Sequence, residues 1–342
     1  MTPNLSDVAR RAGVSRSTAS NILTGFRSER YSAETRERVR EAAAALNYRP
    51  NAAARALVRR RTGVLAMLAW NDVRDIVVGR YAAGVQAAAA ERGFDVVFAN
   101  VGHQAGMEAA RARLLAQKAV DGLIVARVGY PSQLLEVDWP HPEPMVLLGP
   151  PMPGFSGPRL YVDNWSAGMQ AAEHLLDLGH ERAAAIRSSR ATPGQEARYE
   201  GFRQTWLARG RPWNDDWVVR VEYPDLEAAV QELLGRVKGG PLPFTAVYVL
   251  NDEVAAVTIH GLRRAGFQVP QDVSVISCHD MPLARYLSPP LTTVRFPWEE
   301  IGEAAAATLC DLIAGHPPEP AERDFPVELI IRESTAPPSR GR

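Results

Sequence analysis

The chain has 342 residues, too many for one small core, so two or three domains are expected. Its composition, 46% apolar and 23% charged, is that of a globular protein and argues against intrinsic disorder. The formal net charge is zero, but residues 1–61 carry thirteen arginines, no lysine and five acids, while the rest carries 26 basic against 34 acidic residues. That split points to a polyanionic partner for the N-terminal part. No apolar run approaches the roughly 18 residues that span a bilayer, and no charged-then-apolar leader opens the chain. A cytoplasmic protein with no membrane partner is therefore expected. The two cysteines, Cys278 and Cys310, lie in apolar runs outside any metal-ligand spacing, which reads as buried free thiols.

Asn4 is placed to cap a first helix, with Asp7 three residues on reaching back to the open amides. Leu5, Val8, Ala9 and Ala12 recur at helical spacing. Gly13 permits a tight reversal, Val14 plugs the corner, and Ser15 caps a second helix whose inner face is Thr18, Ala19, Ile22 and Leu23. The pair is a helix-turn-helix by geometry. Arg16 and Ser17 fall in the first turn of the second helix, and Asn21 lies one turn further on the same side. Arginine suits the two acceptors of guanine, and asparagine the donor and acceptor of adenine, so Arg16 is the first choice as a base reader. Asn21 has two readings, a base reader or a phosphate contact that fixes register.

Ser32 caps a third helix running to about Leu46, closed by Val39, Ala42, Ala43 and Leu46, with Arg36, Glu37, Arg40 and Glu41 on a solvated face. Pro50 ends its influence, because the residue before a proline avoids helical angles. Asn51 can cap a further helix of about eight residues, a length that is marginal alone in water and orders only against DNA or a partner copy.

From Gly63 the pattern alternates buried strands with helices. GVLAMLA is followed by a helix at Asp75–Arg92, FDVVFAN, a helix around Ala105–Gln117, DGLIVA and PMVLLG. It restarts with helical Asn164–Leu178, AAAI, Gln195–Arg209, WVVRV, Asp225–Val237, FTAVYVL, Asn251–Ala265 and DVSVIS. Two α/β lobes with parallel sheets follow, with proline-rich crossings at 140–158 and 286–297. Ligands in such sheets sit beyond the carboxyl ends of the strands. Polar and aromatic residues at those ends are Trp70, Asn71, Asp72, Arg127, Asp163, Asn164, Asn251, Asp252, His279 and Asp280. Arg198 lies near a helix start and Trp298 after the late crossing. Such a cleft suits a small polyhydroxylated ligand. His180 reads as a structural residue at a helix end, and Trp139, Trp206, Trp213 and Trp217 as core or interface.

In the head, DVARRAGVSRSTAS, SAETRERV and LNYRPNAAARAL resemble the lactose-repressor (LacI-type) family of bacterial transcription regulators. In the body the matching stretches are VDNWSAG, HLLDLGHERAA, RYEGFR, NDEVAA, AGFQVPQDVSVIS, SPPLTTVRFPWEEIGEAAA and VELIIREST, so the resemblance runs nearly end to end. It implies an all-α helix-turn-helix head (1–49), a hinge helix and linker (50–61) and an α/β body of two Rossmann-like lobes of the periplasmic-binding-protein type (62–336); the remaining 337–342, rich in Pro, Ser and Arg, read as a mobile tail. It implies a homodimer on an inverted-repeat double-stranded DNA operator, with paired hinge helices in the minor groove. Leu57 matches the residue that wedges a base step, with Arg55 and the Ala52–Ala54 face against the groove. The other reading of Leu57 is packing between head and body. The expected DNA-facing set is Ser6, Arg16, Ser17, Thr18, Asn21, Tyr48, Asn51, Arg55 and Leu57. The head departs from the family at Thr24, usually Asn, and at Tyr31, where Val is common.

In the body the resemblance assigns Asp163, Arg198, Asn251 and Trp298 to positions that touch a sugar or nucleobase effector. Trp70, Asn71, Arg127 and His279 complete the expected set. His279 stands where the family carries an aspartate that holds ligand hydroxyls. Two readings are open: His279, with Arg127 and Arg198, faces an unusual or negatively charged sugar, or it is structural and bonded to backbone. The implied function is a transcriptional regulator, a repressor by family habit, controlled by a small-molecule effector, a sugar or sugar derivative bound between the lobes. The alternatives are a nucleobase- or anion-responsive regulator, a solute-binding protein and an α/β enzyme. Against an enzyme, the chain has no phosphate-binding glycine motif, nucleophile elbow or metal motif, and no cofactor or metal is expected. The chain has no apolar heptad run after Arg332, which favours a dimer over a tetramer.

Overall fold

A computed structural model describes residues 3–25, 28–48, 61–69, 75–100, 110, 114, 119–127, 144–151, 155–222, 225–236, 242–316, 318 and 320–339. They fall into two compact units. The first runs to Val64 and takes in the short stretch ending at Asp121, and the second is the rest.

Among its described residues the first unit carries the α-helices α1 (Leu5–Ala12), α2 (Arg16–Thr24) and α3 (Ala33–Ala45). Each starts where a side chain satisfies the open amides. Asn4 and Asp7 form a reciprocal capping box on α1. Ser15 Oγ accepts from Thr18 N at 3.0 Å, and Ser32 Oγ from Thr35 N at 3.2 Å. Each cap contributes about 0.5–2 kcal/mol, a large share for so small a core. Gly13 ends α1 in the left-handed region at φ 64°, the conformation that lets α2 reverse across it. Val8, Ala9, Ala12, Ala19, Ile22, Val39, Ala42 and Ala43 form the buried core, with Leu5, Val14, Leu23, Tyr31, Leu46 and Tyr48 packed against it. The small alanines allow α1 and α2 to cross closely.

The second unit holds two six-stranded sheets. Along the chain come β1 (Val64–Ala69), α4 (Ile76–Glu91), β2 (Asp95–Asn100), β3 (Gly122–Ala126), β4 (Met145–Leu148) and β5 (Arg159–Val162). Next are α5 (Asn164–Asp177), β6 (Ala183–Ser188), α6 (Pro193–Ala208), β7 (Val218–Val221), α7 (Leu226–Arg236), β8 (Ala246–Val249), α8 (Asp252–Arg264) and β9 (Ser274–His279). Then follow β10 (Thr292–Arg295), α9 (Trp298–Ala314), β11 (Glu322–Phe325) and β12 (Glu328–Ile330). The strand orders are β11-β5-β4-β3-β1-β2 and β12-β10-β9-β8-β6-β7. The chain crosses between lobes after β5 and again after β10, returns through α9 and β11, then crosses back to β12, which pairs antiparallel to β10. β3 and β4 are buried along their whole length, and so are β8 and β9, as expected of central parallel strands covered on both faces.

Helix pairs in each lobe touch backbone to backbone. A Cβ added at Gly84 of α4 would lie 2.0 Å from Glu299 O of α9, and one at Gly168 of α5 would lie 1.8 Å from Arg198 O of α6. Glycine is required at both positions by close approach. The second contact fixes the turn of α6 that carries Arg198.

These strands and helices lie within a few residues of the expected ones, while β5, β10, β11, β12 and α9 were not expected from the sequence. Of the expected helix around 105–117 only residues 110 and 114 are described, and both are helical. Trp206 is fully buried and stacks on Phe202 at 5.6 Å, Trp213 and Trp217 pack against the cores, and Trp139 lies outside the described residues. Both cysteines are buried and free. His180 is 1% exposed and does more than end a helix. Its Nε2 meets the Ala336 carbonyl at 3.0 Å, which can only accept, so Nε2 carries the proton and Nδ1 accepts from Thr245 Oγ1 at 2.8 Å. Ala336 is thereby held through both of its backbone polar groups, its N–H donating to Ser274 Oγ at 3.0 Å.

Candidate functional site

Two sites are laid out, one in each unit. In the first, Arg16 and Ser17 are exposed in the opening turn of α2, as the sequence reading expected, and Ser6 is exposed on α1. Ser17 Oγ lies 2.8 Å from Ser15 Oγ, and Thr18 Oγ1 also lies 2.8 Å from it, so a hydroxyl cluster surrounds the start of α2. Thr18 and Tyr48 are half-buried, and Tyr48 packs against the core. Asn21 is half-buried and engaged: its Nδ2 donates to Tyr31 Oη at 3.0 Å. That partner was not foreseen, because Tyr31 sits ten residues on, beyond a turn with no regular spacing. Asn51, Arg55 and Leu57 lie outside the described residues.

The second site is a cleft of about 770 Å³ between the lobes of the second unit. Helix starts converge on it: Asp75–Val77 of α4, Asn164 of α5, Thr192–Gln195 of α6, Asn251–Glu253 of α8 and Trp298 of α9. Strand ends supply Arg127, Gly149, Ser188 and His279. This is where an open parallel sheet places a ligand, with backbone amides of helix N-termini turned toward it. Arg127, Arg198, Asn251, His279 and Trp298 from the expected set all line the cleft. Asp163 does not: its carboxylate caps α5, accepting from Ser166 N at 2.9 Å, and Asn164 takes the wall position. Trp70 and Asn71 lie outside the described residues.

The inner wall is built around Arg198 and His279. Arg198 Nη1 donates to Leu250 O at 3.2 Å and to His279 Nε2 at 2.8 Å. Because a guanidinium only donates, Nε2 is bare and the ring proton sits on Nδ1. Burial, with the Arg198 charge beside it, holds His279 well below the usual histidine range, so the ring is neutral. The histidine thus bonds a side chain, not backbone. It stands edge-on to Phe296 at 5.3 Å and Trp298 at 5.6 Å, which stack on each other at 4.8 Å.

Asp252 braces this wall from beneath. It accepts from Ser277 Oγ at 2.5 Å, Thr293 Oγ1 at 2.6 Å and Met281 N at 2.5 Å, while burial pushes its carboxyl up to about 6. Arg332 pairs with Asp280 at 2.5 Å on the same loop. Together they hold His279 at φ 113° and Asp280 at φ 51°, backbone angles rare outside glycine.

Several wall residues were not expected from the sequence. Ser188 ends β6, and Ser189 and Arg190 follow it, two residues and more beyond the expected strand end at Ile186. Tyr161 sits on the unassigned β5, and Tyr81 faces the cleft from α4 with no sequence signal of its own.

The fold and these two sites define a DNA-binding transcriptional regulator with an effector-binding body. Comparison with known proteins places it further. Residues 4–51 match the model described as bacterial regulatory proteins, lacI family, and residues 172–335 match a periplasmic binding protein-like domain. The chain is 33% identical to the HTH-type transcriptional regulator CelR of Thermobifida fusca, over 97% of this chain and 98% of that one. Among solved structures it resembles a CelR–cellobiose complex, with TM-score 0.69, 29% identity and coverage of 97% and 99%. The lac repressor dimer bound to operator and the anti-inducer ONPF shares the fold, with TM-score 0.82, 24% identity and coverage of 98% and 100%. The chain belongs to the lacI family of bacterial regulatory proteins. Among the described residues no helix is long and apolar enough to cross a membrane, and no cluster could hold a metal ion.

Proposed function

We propose that this regulator is a repressor that grips an inverted-repeat operator as a homodimer, and that a sugar or sugar-derived effector in the lobe cleft changes the grip. The observation that carries the reading is the capped α2, whose first turn leaves Arg16 and Ser17 exposed in a segment rich in arginine. Arg16 reads a guanine, while Ser6, Ser17, Thr18, Asn21 and Tyr48 set register along the phosphates. Asn51, Arg55 and Leu57 act at the minor groove. Support for a sugar comes from the related CelR, solved with cellobiose, and from a cleft of small-ligand size walled by aromatics and aimed polar groups.

The effector acts by binding one arrangement of the body better than the other, a coupling typically of about 1–3 kcal/mol. Enrichment of random duplexes on the full chain tests the reading. A short inverted repeat is expected, with retention altered by any sugar that raises the melting temperature. Recovery of unrelated fragments without a shared repeat contradicts it.

A further inference from the structure

Arg198 is 6% exposed, yet no carboxylate reaches it among the described residues. Its neighbours are a carbonyl, a neutral imidazole, the Cys278 thiol, whose value burial raises, and the face of Phe296, 5.1 Å from the guanidinium carbon. Its Nε is buried with no acceptor at all. A buried cation is normally paired, because the surrounding low dielectric penalises it. The side chain that meets Arg198 most closely is the neutral ring of His279, which accepts a hydrogen bond but brings no negative charge.

The other charges along the cleft are accounted for. Glu222 pairs with Arg190 at 3.2 Å. Asp75 caps α4, accepting from Val77 N at 2.9 Å. Asp252 is occupied by its three donors, and Glu253 is exposed and therefore screened by solvent. Arg127 Nη1 donates to the carbonyls of Pro150 and Pro151 at 3.3 and 2.8 Å and brings a second, 4%-exposed guanidinium to the cleft. A second donor, Trp298 Nε1, is also buried without an acceptor. At Arg198 and Trp298 the inner wall thus presents buried donors that lack acceptors.

We propose that the effector bears an anionic oxygen group, a carboxylate or a phosphate on a sugar-sized frame, that becomes the counterion of Arg198. This rests on the reading of the cleft as the effector site and narrows its ligand class. His279, by staying neutral, leaves the guanidinium free for that anion. An aspartate in its place would fill the role internally.

The test uses the full chain and paired probes: D-glucose against D-gluconate, D-glucuronate and D-glucose 6-phosphate, with cellobiose as a second neutral arm. Melting temperature and tryptophan fluorescence are the readouts. The acids are expected to raise the melting temperature saturably where the neutral sugars do not, and the carboxylate and phosphate arms identify which anion fits. If neutral sugars stabilise at least as well, the inference is overturned while the cleft remains a sugar site. If no probe in either arm acts, the inference and the reading beneath it both fall. His279→Asp is expected to weaken the acid arm by about thirtyfold or more, the scale of losing a buried charge partner. His279→Asn, neutral like the histidine, is expected to bind the acids more tightly than His279→Asp does, a difference that isolates the charge from the loss of the ring; equal weakening in both overturns the proposal. Unchanged acid affinity in His279→Asp overturns the proposal.

Discussion

Asn21 donates to the hydroxyl of Tyr31 at 3.0 Å, so the polar side chain one turn along α2 from Arg16 is anchored before any duplex arrives. A tethered amide presents its remaining groups in one orientation, which makes a contact more selective and less costly in side-chain entropy. Tyr31→Phe is expected to reduce head stability by about 0.5–1.5 kcal/mol, the worth of one hydrogen bond. It is also expected to broaden base preference at one operator position while leaving the Arg16 position sharp. Denaturant melts and duplex selection on both proteins check this; identical preferences would show that the tether is structural only.

Arg16 is exposed and, if it reads a guanine bidentately, Arg16→Ala should cost about 1–3 kcal/mol of discrimination at that base. Binding to unrelated duplex should fall far less. Equal losses on selected and scrambled duplexes, measured by anisotropy, would make Arg16 a phosphate contact instead.

Gly168→Ala would place a methyl carbon 1.8 Å from Arg198 O, so α5 and α6 must part. Overpacking of this kind costs about 1–3 kcal/mol or more. A lowered melting temperature is expected together with weakened ligand response, because the turn carrying Arg198 moves. The same change at Gly235, where an added carbon meets nothing, is the control and should leave the ligand response unchanged.

His180 gives a pH dependence whose sign follows from its burial. Its folded-state value is lowered from 6.5 to about 4, so the unfolded chain binds the extra proton first. Stability contributed by the neutral ring is complete above pH 6.5 and is lost as pH falls toward about 4. His279 acts in the same direction. Asp252, raised from 3.8 to about 6, opposes them over part of that range, since its protonated form favours the fold. Melting temperature should therefore drop from pH 7.5 to 5, and His180→Gln should show a shallower drop. An equal slope in the variant would remove His180 as a cause.

Local signals carried the head well. Asn4, Ser15 and Ser32 were legible as caps because a cap is set by residues three apart, and Gly13 by the turn it permits. In the body the buried strands were legible from continuous apolar runs. β5 was missed because RLYV is four residues of mixed character, and it hid Tyr161 from the site. Asp163 caps α5 while its neighbour Asn164 lines the cleft, a distinction between adjacent residues that no sequence pattern carries. The Arg198–His279 bond joins residues 81 apart, and no local pattern could show that the pair meets without a carboxylate. Resemblance supplied both residues, and only the fold shows their geometry.

The most direct test of the account is the salt dependence of duplex affinity for the full chain, measured by anisotropy on the selected repeat and a scrambled control. If the arginine-rich head grips phosphates and reads bases, affinity for both should fall steeply between 50 and 200 mM salt, by about a thousandfold or more, with the selected duplex ahead throughout. Affinity that is absent at the lowest salt, or that ignores salt and sequence alike, would contradict it.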